Sequence, residues 1–512
     1  MTKFIASAGR GRLGRHPLPL ALAAALMLAE PCTSRAEGDS PLLLARADHS
    51  GAHFAAQLGL RGTGALRERH QRAPDRPAGT IIVANCNDDG SGSLRDALAG
   101  AVNGDIIDLT QLACSTITLA SGGIITSLDE IELVGPGADA LTIDAAYHGR
   151  AIYHLGDGTL EISGLTITRG TYSGGTYYRS VGGCVFSRGN VDLTDAVVSH
   201  CNVTDAFTDA YGPAGGCVMA RGNVVLTDTS ISACTATSTS EDVAAGGGVF
   251  AKGSLTLLRS TLSGNSASSE VGPAHGGGAI AVEDLVMKYS TVRDNTAGPL
   301  AGLGGGIHAQ GDAYLIASTV AGNHASAAGG LWLTGDTAQS PAIIRNSTIS
   351  GNSAETSTGG VIVGFALKLA NSTIAFNTCA ALNVSGLYIA EDSEFQSSII
   401  ANNSAGSVQR DLGGDEFATI TGANNLIEVT FLSPPGDTLT IDPMLGPLAN
   451  NGGRTRTHAL LPGSPALDAG NNAYDLTRDQ RGSGFEREIG ASADIGAFES
   501  DPGRIFTNGF EG

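Results

Sequence analysis

Aromatic residues are scarce in this chain, at 5% with a single Trp, and charged residues reach only 16%. So little charge excludes a charge-rich disordered chain and a coiled coil. Stripes at helical period are missing, which excludes solenoids of the ankyrin or tetratricopeptide kind. Beyond the first 36 residues no apolar run nears the roughly 18 residues of a membrane helix, so no such span is expected there. What is abundant is glycine, 72 of 512 residues, against a usual share of about 7%. That balance fits many short strands joined by tight turns.

Charge is unevenly placed. Residues 1–78 hold 11 Lys+Arg and 6 Asp+Glu, so a total of -20 leaves -25 on the rest. An acidic body argues against nucleic acid or an anionic membrane as partner. Arg10, Arg12 and Arg15 precede an apolar run, Leu18 to Ala29, and Ser34-Arg35-Ala36 offers a small-x-small cleavage site. Residues 1–36 therefore read as a signal peptide, which places the protein outside the cell or at its surface. Residues 37–78, rich in Arg, Ala and Gly without periodicity, read as a flexible linker.

Internal repetition decides the fold. A Gly-Gly-apolar step recurs at Gly183-Cys184, Gly216-Cys217, Gly248-Val249, Gly278-Ala279, Gly306-Ile307, Gly330-Leu331 and Gly360-Val361, at intervals of 24 to 33 residues. Between the steps runs a second phrase, Ser-Thr-apolar-x-x-Asn, ending at Asn265, Asn295, Asn323, Asn352, Asn377 and Asn402. Alternating stretches such as Leu255-Thr256-Leu257 put one face inward, and only stacking coils about 4.8 Å apart buries it. Leu262, Val292, Val320, Ile349, Ile374 and Ile399 are expected to form one inward stack, and the six Asn a hydrogen-bonded ladder at a bend. The fold expected is all-β: a right-handed parallel β-helix solenoid over 79–430, plugged by a short N-terminal helix around Ser93 to Leu98. A loop-rich C-terminal cap follows over 431–500, then a short tail, 501–512.

From about Gly79 to Glu499 the chain resembles secreted bacterial β-helix proteins of the pectin-lyase-like class that carry a choice-of-anchor Q region. Two passages bear the likeness: Cys86-Asn87-Asp88-Asp89-Gly90-Ser91-Gly92-Ser93-Leu94-Arg95-Asp96-Ala97-Leu98, and the set Asn451-Gly452-Gly453, Gly463-Ser464-Pro465-Ala466-Leu467-Asp468, Asp479-Gln480-Arg481-Gly482 and Asp494-Ile495-Gly496-Ala497-Phe498-Glu499. Glu488 stands where the family often has Pro. The resemblance implies a surface or released location and names no reaction.

Of the cysteines, Cys86 and Cys114 bracket the helical cap and are expected to pair. Cys184 and Cys217 share one repeat position, and Cys201 and Cys234 another, so disulfides between adjacent coils, Cys184 to Cys217 and Cys201 to Cys234, are expected; buried thiols are the alternative. A zinc site from these four is not expected, because the two pairs fall at different corners. Spacing matches Cys379 with no other cysteine.

Catalytic motifs seen on this kind of fold (Gly-His-Gly, Arg-Ile-Lys, Trp-Ile-Asp-His) are missing. His148, His154, His200 and His308 are expected as outward coil residues and Trp332 as a packing or surface residue. Loop length is more informative: from the Asn position to the next Gly-Gly step the first four separations are 13, 15, 14 and 13 residues, against 7 to 11 later. These loops carry Tyr172, Tyr177, Tyr178, Asp205, Phe207, Asp209, Tyr211, Glu241 and Asp242, a set able to stack on sugar rings and bond hydroxyls. Ca²⁺ is the alternative ligand of their carboxylates; no other cofactor and no metal is expected. The function expected is an exported adhesive or structural β-helix, a monomer with an extracellular glycan or cell-surface partner. A polysaccharide lyase or glycoside hydrolase is the alternative.

Overall fold

The computed structural model of the protein describes residues 78–173, 181–204, 212–335, 340–501 and 503. The proposed leader, all but the last residue of the linker and most of the tail lie outside them. Three parallel sheets run the length of the body, and a fourth joins them from Thr171 onward. Sheet I has 13 strands, from Thr80–Ile82 to Ile420–Ala423, and sheet II has 12, from Thr116–Thr118 to Leu426–Ile427. Sheet III begins at Thr171–Ser173, and sheet IV has 11 strands, from Ile124–Thr126 to Leu412–Gly414. Each coil visits them in turn: Asn190–Thr194, Val197–Ser199, Asn202–Thr204, Val218–Ala220, then Val224–Thr227 back in sheet I. The protein is thus an all-β parallel β-helix of about 11 coils.

Register explains the repeated phrase letter by letter. Its apolar residue points inward, pairing Leu262, Val292, Val320, Ile349 and Ile374 in one buried file. The file continues at Ile400, not Ile399. Ile399 faces outward and is buried from the other side, against Ala466 and Ile495. The leading Ser builds a corner ladder, in which the backbone N–H of Ser260, Ser290, Ser318 and Ser347 donates to the next Ser Oγ at 3.1–3.2 Å. The position before the Asn is left-handed: Gly264, Asp294, Gly322, Gly351, Phe376 and Asn402 have φ of 57 to 66°.

The Asn itself forms the central ladder. Asn295 donates its backbone N–H and its Nδ2 to Asn323 Oδ1 at 3.0 and 2.9 Å, and its Nδ2 also donates to Leu262 O at 3.1 Å. The same pattern links Asn265, Asn295, Asn323, Asn352 and Asn377. It then passes to Asn403 and ends on Asp411 Oδ1. Asn402 was the residue expected in the last step; it occupies the left-handed turn position instead, so its neighbour Asn403 carries the ladder. A carboxylate suits the terminus because it accepts without donating. Burial pushes the Asp411 carboxyl up to about 6.

Facing each ladder amide is the second glycine of the Gly-Gly step. A Cβ on Gly278, Gly306 or Gly360 would stand 3.1–3.2 Å from the amide of Asn295, Asn323 or Asn377, and 2.2–2.5 Å from the next coil's carbonyl. Seventeen residues separate Gly278 from Asn295 and Gly306 from Asn323. In the two coils before that of Gly248 and Asn265 both members of this facing pair are cysteine. The disulfides are Cys184–Cys201 and Cys217–Cys234, each spanning 17 residues within one coil. Bonds between adjacent coils were expected, and the facing geometry overrules them. The two positions are opposite each other, which also gathers the sulfurs of Cys201, Cys217 and Cys234 within 4.8 Å instead of at separate corners. Buried Cys379 stands outside the three disulfides.

The ends are closed differently. Helix Leu94–Gly100 buries Leu94, Ala97 and Leu98 on the first coil, and its N-cap Ser93 accepts from Asp96 N at 3.2 Å. Cys86–Cys114 fastens this plug. Arg95 pairs with Asp88 at 2.8 Å and donates to Gly122 O and Gly123 O. At the far end Leu432 packs on the core, after which the chain folds back along the flank rather than serving only as a cap. Gln480 bonds Thr319 and Thr348, Thr455 Oγ1 donates to Ala317 O, and His458 meets Ser350 Oγ at 2.8 Å. Inside this flank Arg481 pairs with Asp479 at 2.6 Å and Arg487 with Glu499 at 2.8 Å, all four buried. Thr455, His458, Gln480 and Ala497 thus fasten the flank to the coils.

Asn323→Ala leaves two buried donors of Asn295 without an acceptor. It is expected to lower the unfolding free energy by about 3 kcal/mol, read from the denaturant midpoint. A loss within about 0.5 kcal/mol, as for an unremarkable surface change, would contradict the ladder's role.

Candidate functional site: a lateral groove and a covered loop face

The long loops do not simply project. Their returning halves lie over the outer face of sheet IV. Bridges Val181↔Ala214 and Ala214↔Ala245, with strands Ala244–Ala245, Ala274–His275 and Gly302–Leu303, form a small overlay. Between it and sheet IV sits a second core of Val181, Phe186, Ala214, Met219, Ala245, Phe250 and Ile280. Outward residues of sheet IV are apolar here because the overlay removes them from water.

Of the residues expected to bind glycan, Tyr177, Tyr178, Asp205, Phe207, Asp209 and Tyr211 lie outside the described residues. Tyr172 has its ring face taken by the Arg150 guanidinium, 3.5 Å from its centroid. Arg150 is buried, and its Nε donates to Val181 O and Gly182 O. Glu241 is exposed and Asp242 half-buried, accepting from Ser240 Oγ at 3.0 Å. Of this set the described residues are thus Tyr172, Glu241 and Asp242, and the Tyr172 ring is engaged by Arg150.

One histidine departs from expectation, and another faces outward as expected but under cover. His154 points into the core, with Ser187 Oγ and Leu128 O each 2.7 Å from a ring nitrogen. His308 faces outward from sheet IV but is covered, 7% exposed. It lies beside His275 of the overlay, ring centroids 5.5 Å apart, and Trp332 stacks on it at 4.8 Å. Burial holds both imidazoles well below their usual range, His275 to about 4 and His308 to about 3.

The accessible site is on sheet II. Its outer face presents a file of hydroxyls interrupted once, by Val197: Thr142 and Thr166 before it, then Ser230, Thr261, Thr291, Thr319, Thr348 and Thr373. From Thr319 onward the C-terminal flank covers the file. Before it the face is open, and a groove of about 430 Å³ runs between the turn Pro136 to Ala140 and the residues Asp195, Val197, Asp228, Ser230, Arg259 and Thr261. Asp195, Asp228 and Arg259 occupy successive left-handed turn positions, with φ of 48, 47 and 53°, so their side chains line one edge. Arg259 clasps Asp228 by Nε at 2.9 Å and a terminal nitrogen at 2.6 Å, and Arg454 approaches at 3.5 Å. The hydrogen bond from Arg259 holds the Asp228 carboxyl below its usual range. The carboxylates of Asp139, Asp195 and Asp228, one engaged guanidinium and the hydroxyls of Ser230 and Thr261 make a polar, partly acidic trough. Sequence reading missed it because its residues fall one per coil, about 30 positions apart; Asp195, Asp228 and Arg259 share one repeat position, each two residues before Val197, Ser230 and Thr261 of the outer file, and that alignment is the signal that was there.

Between pH 6.5 and about 4 the unfolded chain takes up protons that folded His275 and His308 refuse. Their contribution is thus present above pH 6.5 and lost as pH falls, at roughly 1.4 kcal/mol per unit for each histidine. Denaturation of wild type and of a His275→Phe/His308→Phe variant at pH 6.5 and 4.5 tests this. The wild type is expected to lose more stability on acidification, and equal losses would contradict it.

No family model matches the chain, and no curated protein does. Among solved structures, the crystal structure of the pectate lyase Pel9A is similar at 12% identity with a TM-score of 0.39, over 83% of this chain and 98% of that one.

Proposed function

We propose that this is an exported β-helix protein, adhesive or structural, that holds an extracellular glycan in the lateral groove of sheet II. The observation that carries the reading is the open half of the hydroxyl file. On later coils the same file already bonds polar groups of the protein's own C-terminal flank, at Arg456, Gln480 and Ala497, through Thr319, Thr348 and Thr373. On earlier coils it meets solvent beside three carboxylates. Paired hydroxyl and carboxylate acceptors along an extended trough suit the many hydroxyl donors of a sugar chain. Export is supported by the basic and apolar start of the sequence and by three disulfides. No helix among the described residues is long and apolar enough to cross a membrane.

The second reading, a polysaccharide lyase or glycoside hydrolase, draws on the same carboxylates. Binding and turnover separate the two. Ser230→Tyr fills the trough, and Asp195→Asn removes a charge while suiting the left-handed turn. Wild type is expected to bind members of a glycan array, with Ser230→Tyr reducing binding at least tenfold at an unchanged melting temperature. New reducing ends or unsaturated products, with or without Ca²⁺, would favour the enzyme. Binding unaltered in Ser230→Tyr would reject the groove.

A further inference from the structure

The His275–His308 pair has features that packing alone leaves unexplained. The two residues are 6% and 7% exposed, and Nδ1 of each is buried with no hydrogen-bond partner. A buried nitrogen without a partner is costly, so two on neighbouring rings call for an occupant. Their walls are apolar: Ala245 and Leu303 pair with His275 in the overlay, and Ile280 pairs with His308 in sheet IV. Trp332 closes the group, stacked at 16° on His308 and 6.1 Å from His275.

We propose that His275 and His308 form a two-nitrogen site for a soft monovalent cation of the copper(I) class. The rings lie at 70°, with centroids 5.5 Å apart. That separation admits an ion bonded to one nitrogen of each ring at about 2 Å. Both imidazoles are neutral at neutral pH, so each offers a lone pair once its proton sits on the other nitrogen. The choice of ion follows from charge. Among the described residues only Cys201, Cys217 and Cys234 gather as three potential ligands, so no carboxylate or thiolate joins the histidines as a third. A dication here would keep two uncompensated charges in an apolar site, whereas a monovalent d¹⁰ ion accepts two neutral donors. The indole face of Trp332 adds a cation–π contact.

Trp332 is the only tryptophan in the chain, so its fluorescence reports this site alone. Silver(I) serves as a redox-stable probe, added to the untagged full chain carrying Cys32→Ser and Cys379→Ser to remove competing thiols. Saturable quenching at one silver per chain is expected, with a raised melting temperature and no response to Zn²⁺. His275→Phe and His308→Phe should each abolish the response while far-UV dichroism stays that of the parent. If either variant fails to fold, X-ray absorption of the silver-loaded parent decides: two nitrogen scatterers support the site, and sulfur or oxygen ligation overturns it. No saturable quenching, quenching that survives in a folded histidine variant, or equal binding of Zn²⁺ would each overturn it.

Discussion

A buried side-chain amide facing a residue without a Cβ is the contact on which the coil stack depends. The Asn file satisfies all its donors inside the protein, coil to coil and back to the preceding turn. It does so only because Gly278, Gly306 and their equivalents leave room for the amide and bring backbone against backbone. Each member therefore fixes the register of its neighbours: a slip of one residue would orphan several buried polar groups at once. Toward the N-terminus the same facing positions carry cysteine, and a covalent bond replaces the amide contact. One geometric site in the coil is thus filled in two chemically different ways.

The outer faces are specialised by what covers them. On sheet IV the overlay strands convert solvent-facing positions into a second core, and apolar Phe186, Met219, Phe250 and Ile280 follow from that. On sheet II the covering is polar, and threonine serves both the docked flank and the open groove. Gln480, Thr455 and His458 bond the flank to the coils, and inside it the buried charge pairs, Asp479 with Arg481 and Arg487 with Glu499, bond further to the flank's own backbone.

Much of the body was legible in the sequence because a stacked repeat writes its contacts at constant spacing. The Ser, the inward apolar residue and the Asn each recur once per coil, and the structure places each in its own file. Two errors share one cause. Asn402 and Ile399 were taken from a phrase counted forward from Ser397, yet Ser398 holds the ladder position, so everything after it moves by one. The cysteines were matched by equal repeat position, which identifies neighbours along the rod. Their partners lie across the coil, at the separation that also relates Gly278 to Asn295. The overlay and the flank were illegible for a different reason. The flank does not repeat, and many of its contacts join residues more than 100 positions apart, as Gln480 with Thr348; the overlay recurs once per coil, but its single residue before each Gly-Gly step carries no pattern of its own. A groove assembled from one residue per coil leaves no contiguous motif either.

The claim that facing positions within one coil form the basic contact is tested most directly by disulfide connectivity. Peptide mapping of the oxidised, exported chain without reduction should recover Cys184 joined to Cys201 and Cys217 joined to Cys234. Recovery of Cys184 joined to Cys217 would place those residues against each other along the rod and contradict the account.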